Sequence, residues 1–217
     1  MSRKKERLVV GISGASGVIY GIRLLEVLRG VENIETHLVI SNSAKQTISL
    51  ETDFAVEQVE ALATRVYRFN DVAAAISSGS FKTRGMVVIP CSMKTLSSIT
   101  HSFDENLLVR AADVTLKEHR RLVIVPRETP LHLGHLRLLT TAAELGALVA
   151  PPMPAFYHRP QSIDDLINQT VNRVLDLLEI ELPEDLFTRW TGPQPHAVDR
   201  QNGNVRGEEL LADGESG

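Results

Sequence analysis

Two turns rich in small and polar residues stand directly after apolar runs in this chain. Residues 11–17 read Gly-Ile-Ser-Gly-Ala-Ser-Gly, and residues 91–97 read Cys-Ser-Met-Lys-Thr-Leu-Ser. Each turn joins a predicted strand to a predicted helix. Small residues and the free N–H groups of a helix start could therefore hold a phosphate group there. A tight structural turn in the first case and ordinary N-capping by Ser92 in the second are the alternatives.

The spacing of the first turn argues against two common nucleotide motifs. It is not the dinucleotide pattern G-x-G-x-x-G, and no Gly-Lys-Ser/Thr follows as in a Walker A motif. An enzyme that binds the ribose of NAD usually places an acid at the end of the second strand, where this chain has Ser41. The pattern therefore favours a mononucleotide over NAD.

Several basic residues could stabilise a phosphate anion. Arg110 and Lys117 are seven residues apart and so project from one face of a predicted helix. Arg127 and Glu128 directly follow a buried apolar run, where a charged pair must be ligand-bound, paired or exposed. Arg173 lies at the border of an apolar helical stripe. A solvated charged face and a lone arginine with its charge in water are the alternatives, and no one of these residues is decisive alone.

The remaining candidates are aromatic, acidic and thiol side chains. Tyr157 and the single tryptophan, Trp190, fall on connecting segments, where they could line a ligand or simply anchor loops against each other or another subunit. Glu51 taken alone reads more simply as a surface acid than as a catalytic one. Cys91 has no evident histidine partner, so we predict a small buried residue rather than a nucleophile.

Apolar runs alternate with helical patterns along the chain. We predict strands at residues 8–12, 36–40, 66–69, 86–89, 122–125 and 147–150, and helices at 18–28, 45–50, 105–119, 132–145 and 162–179. Such alternation predicts an α/β fold, with a mainly parallel sheet and helices on both faces. Ligands of these folds bind beyond the carboxyl ends of the strands. The candidate residues at strand ends therefore fall on one edge of the sheet.

Composition narrows the class of protein. With 217 residues, 43% of them hydrophobic, residues 1–192 can form one domain that needs no metal site or disulfide. A net charge of −4 without a basic tract argues against nucleic acid. The single cysteine fits a reducing compartment, and the apolar run at 8–12 is too short for a signal peptide or membrane span, so we predict a cytoplasmic protein. The polar, acidic stretch 193–217 predicts a disordered tail.

The ordered set of these segments resembles the UbiX/phenylacrylic-acid-decarboxylase-like family of flavin prenyltransferases. The resemblance covers residues 8–190, and each motif alone is weak whereas their joint order is specific. The segments that carry it are 11–17, Ser41, 51–53, 77–81, 91–97, 110–113, 116–118, 126–130 and 156–161.

The resemblance implies a fold, a reaction and an assembly. The fold would be a flavodoxin-like or Rossmann-like three-layer αβα sandwich. The chain would transfer a dimethylallyl group from dimethylallyl monophosphate to reduced FMN, first at N5 and then by ring closure onto C6. The product would serve a UbiD-type decarboxylase. The family forms homo-dodecamers in which a pocket is shared between subunits.

The resemblance also implies roles for single residues. FMN would contact Gly14, Ala15, Ser16, Ser41, Ser92, Met93, Lys94, Thr95 and Arg127. The substrate phosphate would be surrounded by Arg110, Lys117, Arg127, Glu128, Tyr157 and Arg173. Glu128 would protonate the departing phosphate, while Lys117, Arg110 and Arg173 would stabilise its charge. Ser16 would hold the N5 region of the flavin, and Glu51 would assist proton movement during ring closure. The π faces of Tyr157 and Trp190 would stabilise the allylic cation.

Two rival readings belong to other classes. Flavin-dependent cysteine decarboxylases of related fold carry a Pro-Ala-Ser-Ala-Asn-Thr turn and a Pro-x-Met-Asn-x-x-Met-Trp segment, and both signatures are missing from the corresponding residues 91–95 and 152–156. A non-catalytic FMN carrier, or a subunit of an aromatic-acid decarboxylase, would bind FMN without turnover. Such a carrier would have little need for Glu128 or Lys117, which both stand within their motifs.

Overall fold

The computed structural model describes residues 5–192 of the chain. Its strands are β1 (Glu6–Ile12), β2 (Ile34–Ile40), β3 (Arg65–Tyr67), β4 (Gly85–Cys91), β5 (Arg121–Pro126) and β6 (Leu148–Val149). Its helices are α1 (Val18–Arg29), α2 (Asn42–Glu51), α3 (Val56–Glu60), α4 (Met93–Thr100), α5 (Leu107–Lys117), α6 (Leu133–Glu144) and α7 (Ile163–Leu177), with a 3₁₀ turn at Ala75–Ser77. The predicted disordered tail, 193–217, lies outside the described residues.

All six strands are parallel and form one sheet in the order β3-β2-β1-β4-β5-β6. The predicted αβα sandwich with a parallel sheet is confirmed, and this strand order is the one found in Rossmann-like folds. The chain runs outward from β1 in one direction and then outward from β4 in the other. The loops that follow β1 and β4 therefore diverge to opposite faces and leave a crevice at the carboxyl edge between them.

The two faces of the sheet bury separate apolar clusters because side chains alternate along each strand. Leu8 and Val10 on β1 point toward the layer that contains α1 and α7, where they join Val171. Val9, between them, points to the other face and joins Leu108 of α5. Since helices cover both faces, a ligand can reach the sheet at its carboxyl edge.

The predicted elements are all present, with end points that differ by a few residues. Two predicted end points were wrong: the strands predicted to end at 89 and 125, each before a proline, continue through Pro90 in β4 and Pro126 in β5. The β4–β5 pairing shifts register between Val88 and Cys91, so Pro90 stands where the ladder needs no N–H donor. The short helix α3 was not predicted. Within residues 5–192, the helices are all too short or too polar to cross a membrane.

Candidate active site

A buried serine joins the loop after β1 to the loop after β4. The Ser13 hydroxyl donates to the Pro90 carbonyl at 3.1 Å and accepts from the Ser92 N–H at 2.8 Å. The backbone N–H of Ser13 also donates to Pro90 at 3.1 Å. Because Ser13 has no exposed surface, these bonds are shielded from water and fix the two loops against each other. The two candidate turns of the sequence therefore form one site.

Helix α4 begins inside this site. The Ser92 hydroxyl accepts from the Thr95 N–H at 3.3 Å and donates to the Thr95 hydroxyl at 3.1 Å, which is an N-cap. The expected capping by Ser92 is thus present. An N-cap of this kind leaves the N–H groups of Met93 and Lys94, in the first turn, without partners inside the helix. They can bind an anionic or carbonyl group of a ligand.

The loop after β2 packs against the glycine-rich turn. The Ser41 N–H donates to the Ile12 carbonyl at 2.9 Å, and the Ser41 hydroxyl caps α2 by accepting from the Ala44 N–H at 3.1 Å. A β-carbon placed on Gly14 would stand 2.2 Å from the Ser43 hydroxyl oxygen, so only glycine allows this approach. Ser41, Gly14 and Ala15 are therefore neighbours at the same edge of the sheet.

The start of α1 is capped by a side chain from another helix. The Glu51 carboxylate, at the end of α2, accepts from the N–H of Gly17 at 2.8 Å and of Val18 at 3.3 Å. Gly17 has φ 96°, a left-handed conformation that favours glycine. The anion at this helix start is thus the protein's own carboxylate. It lies beside Ser16, whose side chain is exposed.

Arg127 and Glu128 extend from the end of β5 into the same edge. The Arg127 N–H donates to the Cys91 carbonyl at 3.1 Å, which fixes this segment next to the Ser92 turn. Burial raises the pKa of Tyr20 on α1, and the nearby Arg127 guanidinium opposes that rise. Both side chains of the predicted pair are exposed, and Glu128 accepts from the Thr129 N–H at 3.0 Å. The pair is therefore open to a ligand.

Arg110 and Lys117 both face residues 77–79, but Arg110 lies near the start of α5 and Lys117 is its last residue. Arg110 contacts the Ser77 carbonyl at 3.3 Å and forms ion pairs with Asp104 and Asp113. Lys117 pairs with Glu118 at 2.7 Å and lies beside Gly79. The loop 78–84 leads into the first residue of β4, and α5 leads into the first residue of β5. Lys117 therefore lies toward the amino edge, and the length of β5, about 20 Å, separates this edge from Glu128.

The aromatic candidates meet in a third place. The rings of Tyr157 and Trp190 lie edge to face with centroids 5.9 Å apart, and both are well exposed, at 46% and 61%. Arg173, on the outer side of α7, donates to Asp176 at 2.7 Å. Two predicted phosphate contacts, Tyr157 and Arg173, and the predicted cation contact Trp190 thus lie in residues 157–190.

Cys91 is fully buried, as predicted. Its burial raises the pKa of the thiol, and a hydrogen bond with Ser13 only partly opposes this. A thiol held neutral in this way is a poor nucleophile.

One copy of the chain therefore brings the predicted flavin contacts and Glu128 to the carboxyl edge but leaves Lys117 toward the amino edge. Sequence reasoning gave Ser13 no role of its own, although it joins the two turns. The signal available was its place directly after a buried strand, in a turn of small residues.

Comparison with known proteins identifies the family. The model of the Flavoprotein family matches residues 1–175. The flavin prenyltransferase UbiX of Escherichia coli K12 is 68% identical over 187 residues, which are 86% of this chain and 99% of that protein.

Two solved structures superpose over most of the chain. One is AnUbiX (PadA1) in complex with FMN and dimethylallyl pyrophosphate, with TM-score 0.84 and 49% identity over 88% of this chain and all of that one. The other is a dodecameric FMN-dependent UbiX-like decarboxylase from Escherichia coli O157:H7, with TM-score 0.82 and 49% identity over 86% of this chain and all of that one. Since matches at this level cover most of the chain, it belongs to the Flavoprotein family and, within it, to the UbiX-type flavin prenyltransferases.

Proposed function

We propose that this chain transfers a dimethylallyl group from dimethylallyl monophosphate to reduced FMN, at N5 and then by ring closure onto C6. The observation that carries the proposal is the junction of the Ser13 and Ser92 turns at the switch point of the sheet, in a chain 68% identical to a flavin prenyltransferase. AnUbiX was crystallised with the pyrophosphate of the same alcohol. Both forms of the donor therefore belong in the test.

The residues at the carboxyl edge fit FMN. Hydroxyls of Ser16, Ser41 and Thr95, the free N–H groups of Met93 and Lys94, and the Arg127 guanidinium are all donors suited to a phosphate and to the carbonyl and nitrogen edge of a flavin. Ser41 stands where an acid would repel the ribityl phosphate of FMN. When bound, reduced FMN supplies the electron-rich nitrogen and carbon that the prenyl group joins.

The charged side chains would act on the leaving phosphate. Breaking the prenyl C–O bond leaves an allylic cation and a phosphate anion. Lys117, Arg110 and Arg173 would stabilise the anion, because its negative charge would form near their positive charges. Glu128 would act as general acid and donate a proton to it. The faces of Tyr157 and Trp190 would stabilise the cation by roughly 2 kcal/mol when water is excluded. Glu51, held at the start of α1 beside Ser16, would accept the proton released on ring closure.

This scheme requires more than one copy of the chain. Lys117 and Glu128 lie at opposite edges of one sheet, so a neighbouring copy would bring its α5 to the flavin edge of the first. Apolar side chains exposed in one copy, such as Met153 at 73% and Phe156 at 69%, are suited to such a contact. A dodecamer, as in the Escherichia coli O157:H7 structure, is the assembly we propose.

The product and compartment follow from the same proposal. Prenylated FMN would pass to a UbiD-type decarboxylase, and the single, buried Cys91 suits the reducing cytoplasm.

The proposal is tested by incubating the chain with reduced FMN and either dimethylallyl monophosphate or the pyrophosphate. Mass spectrometry should find flavin with one added five-carbon unit. Glu128→Gln should slow its formation about a hundredfold, as expected for loss of a general acid, whereas Arg29→Lys, at an exposed site on the far edge, should not. Tight FMN binding without any adduct would contradict the proposal and favour the carrier.

A further inference from the structure

The segment after α7, residues 178–192, carries Trp190 and is without helix or strand. Leu182 and Leu186 of this segment pack against the core, and Arg189 attaches its end to α7. The Arg189 guanidinium donates to both oxygens of Asp176, at 2.9 and 2.8 Å, and to both oxygens of Asp185, each at 2.6 Å. Two bidentate pairs on one side chain fix both its position and its plane.

A buried amide adds a second attachment. Asn172 on α7 is only 1% exposed. Its side-chain oxygen accepts from the Leu186 N–H at 2.8 Å, and its amide nitrogen lies 3.4 Å from an oxygen of Asp176 and of Asp185. Asn172, Asp176, Asp185 and Arg189 together form what we call the C-terminal clasp.

The clasp also reaches a predicted substrate contact. Asp176 accepts from Arg173 at 2.7 Å through the same oxygen that accepts from Arg189. Positive and negative groups therefore alternate along Arg173, Asp176, Arg189 and Asp185. Any change in Asp176 alters both Arg173 and the segment that carries Trp190.

Trp190 itself has little burial to hold it. It is 61% exposed, and the ring partner recorded for it is Tyr157. Since Arg189 is the adjacent residue, the clasp holds the backbone that carries the indole.

We propose that Arg189 and Asp176 are positioning residues, which hold Trp190 against Tyr157 and orient Arg173 for prenyl transfer. The inference rests on the proposed function, in which these three residues surround the allylic phosphate. It adds that the ionic clasp holds Trp190 in place beside the packing of Phe187 against Tyr157.

Fluorescence tests the clasp directly, because Trp190 is the only tryptophan of the chain. Arg189→Lys keeps the charge but cannot form two bidentate pairs. In the full chain with FMN bound, this variant and Asp176→Asn should raise the acrylamide quenching constant of the tryptophan about twofold as ordering bonds are lost, while Arg29→Lys should leave it unchanged. Unchanged quenching in both clasp variants would overturn the inference.

Kinetics separate positioning from a general loss of structure. Arg189→Lys should lower kcat/KM for the allylic phosphate about tenfold, as expected when a charge-assisted bond is lost, with KM for reduced FMN unchanged. In a Trp190→Ala background the same change should cost less than about twofold, because the residue it positions is gone. An equal loss in both backgrounds would contradict positioning. Acrylamide quenching can be measured without turnover. A wild type that fails to prenylate FMN would therefore refute the proposed function, and quenching would still test the clasp.

Discussion

The Ser13 hydroxyl accepts a hydrogen bond from the Ser92 N–H at 2.8 Å and thereby joins residues 79 positions apart in the chain. It also donates to the Pro90 carbonyl. Ser13 is buried where β1 and β4 lie side by side.

Ser13→Ala should weaken both the fold and flavin binding. The change leaves the half-buried Ser92 N–H without its acceptor and the Pro90 carbonyl without the Ser13 hydroxyl, which costs about 1–3 kcal/mol in the free energy of unfolding. Denaturant unfolding measures that loss, and FMN titration should give weaker affinity because the two turns separate. Ser49→Ala, which removes an exposed hydroxyl bonded at 3.4 Å to the Lys45 carbonyl, should change the free energy by less than about 0.5 kcal/mol. Equal effects of the two changes would contradict the role of Ser13.

Glu51 should show separable structural and catalytic effects. Glu51→Ala removes the acceptor at the start of α1 and should lower the free energy of unfolding by about 1 kcal/mol. Glu51→Gln keeps an acceptor oxygen and should retain most of that stability. If the carboxylate moves a proton, Glu51→Gln should nevertheless lower kcat about a hundredfold.

The matched control is Glu57→Gln, at an exposed position on α3. Its kcat and its free energy of unfolding should both equal those of the wild type. A Glu51→Gln variant with full turnover would leave Glu51 only its capping role.

The clasp should loosen in acid. The Arg189 hydrogen bonds hold the pKa of Asp176 and of Asp185 below the usual range. A carboxyl group whose folded pKa is lowered contributes stability that is present above its unfolded pKa, about 4, and is lost as pH falls through the folded value. Acrylamide quenching of Trp190 should therefore stay constant from neutral pH to about 4 and rise below it.

Asp176→Asn supplies the comparison for this pH dependence. Its quenching should be raised at neutral pH already and change less on acidification. A wild-type transition near neutral pH would mean that other groups govern the segment.

The sequence predicted the sheet well because β-strand signals here are local. Each strand is a short apolar run that ends in small or polar residues, and so the carboxyl edge could be placed. Pro90 and Pro126 misled the end points, since a proline is tolerated in a strand wherever the ladder uses no N–H at that residue.

The site was less predictable because its contacts are long-range. The bond from Ser13 to Ser92 and the cap that Glu51 gives to α1 depend on how distant elements pack, which no local pattern encodes. The spacing of Arg110 and Lys117 correctly placed them on one helix face. It could not reveal that Lys117, the last residue of α5, lies toward the amino edge, away from Glu128.

The central claim is that Lys117 and Glu128 act on one phosphate although a strand separates them in each copy. Lys117→Ala and Glu128→Gln chains, each inactive alone, can be mixed, dissociated and reassembled, and prenylated FMN then measured. If the two residues come from different copies, about a quarter of the sites in a random mixture receive both native side chains and activity returns to about that fraction. Activity no higher than that of either variant alone would contradict the account.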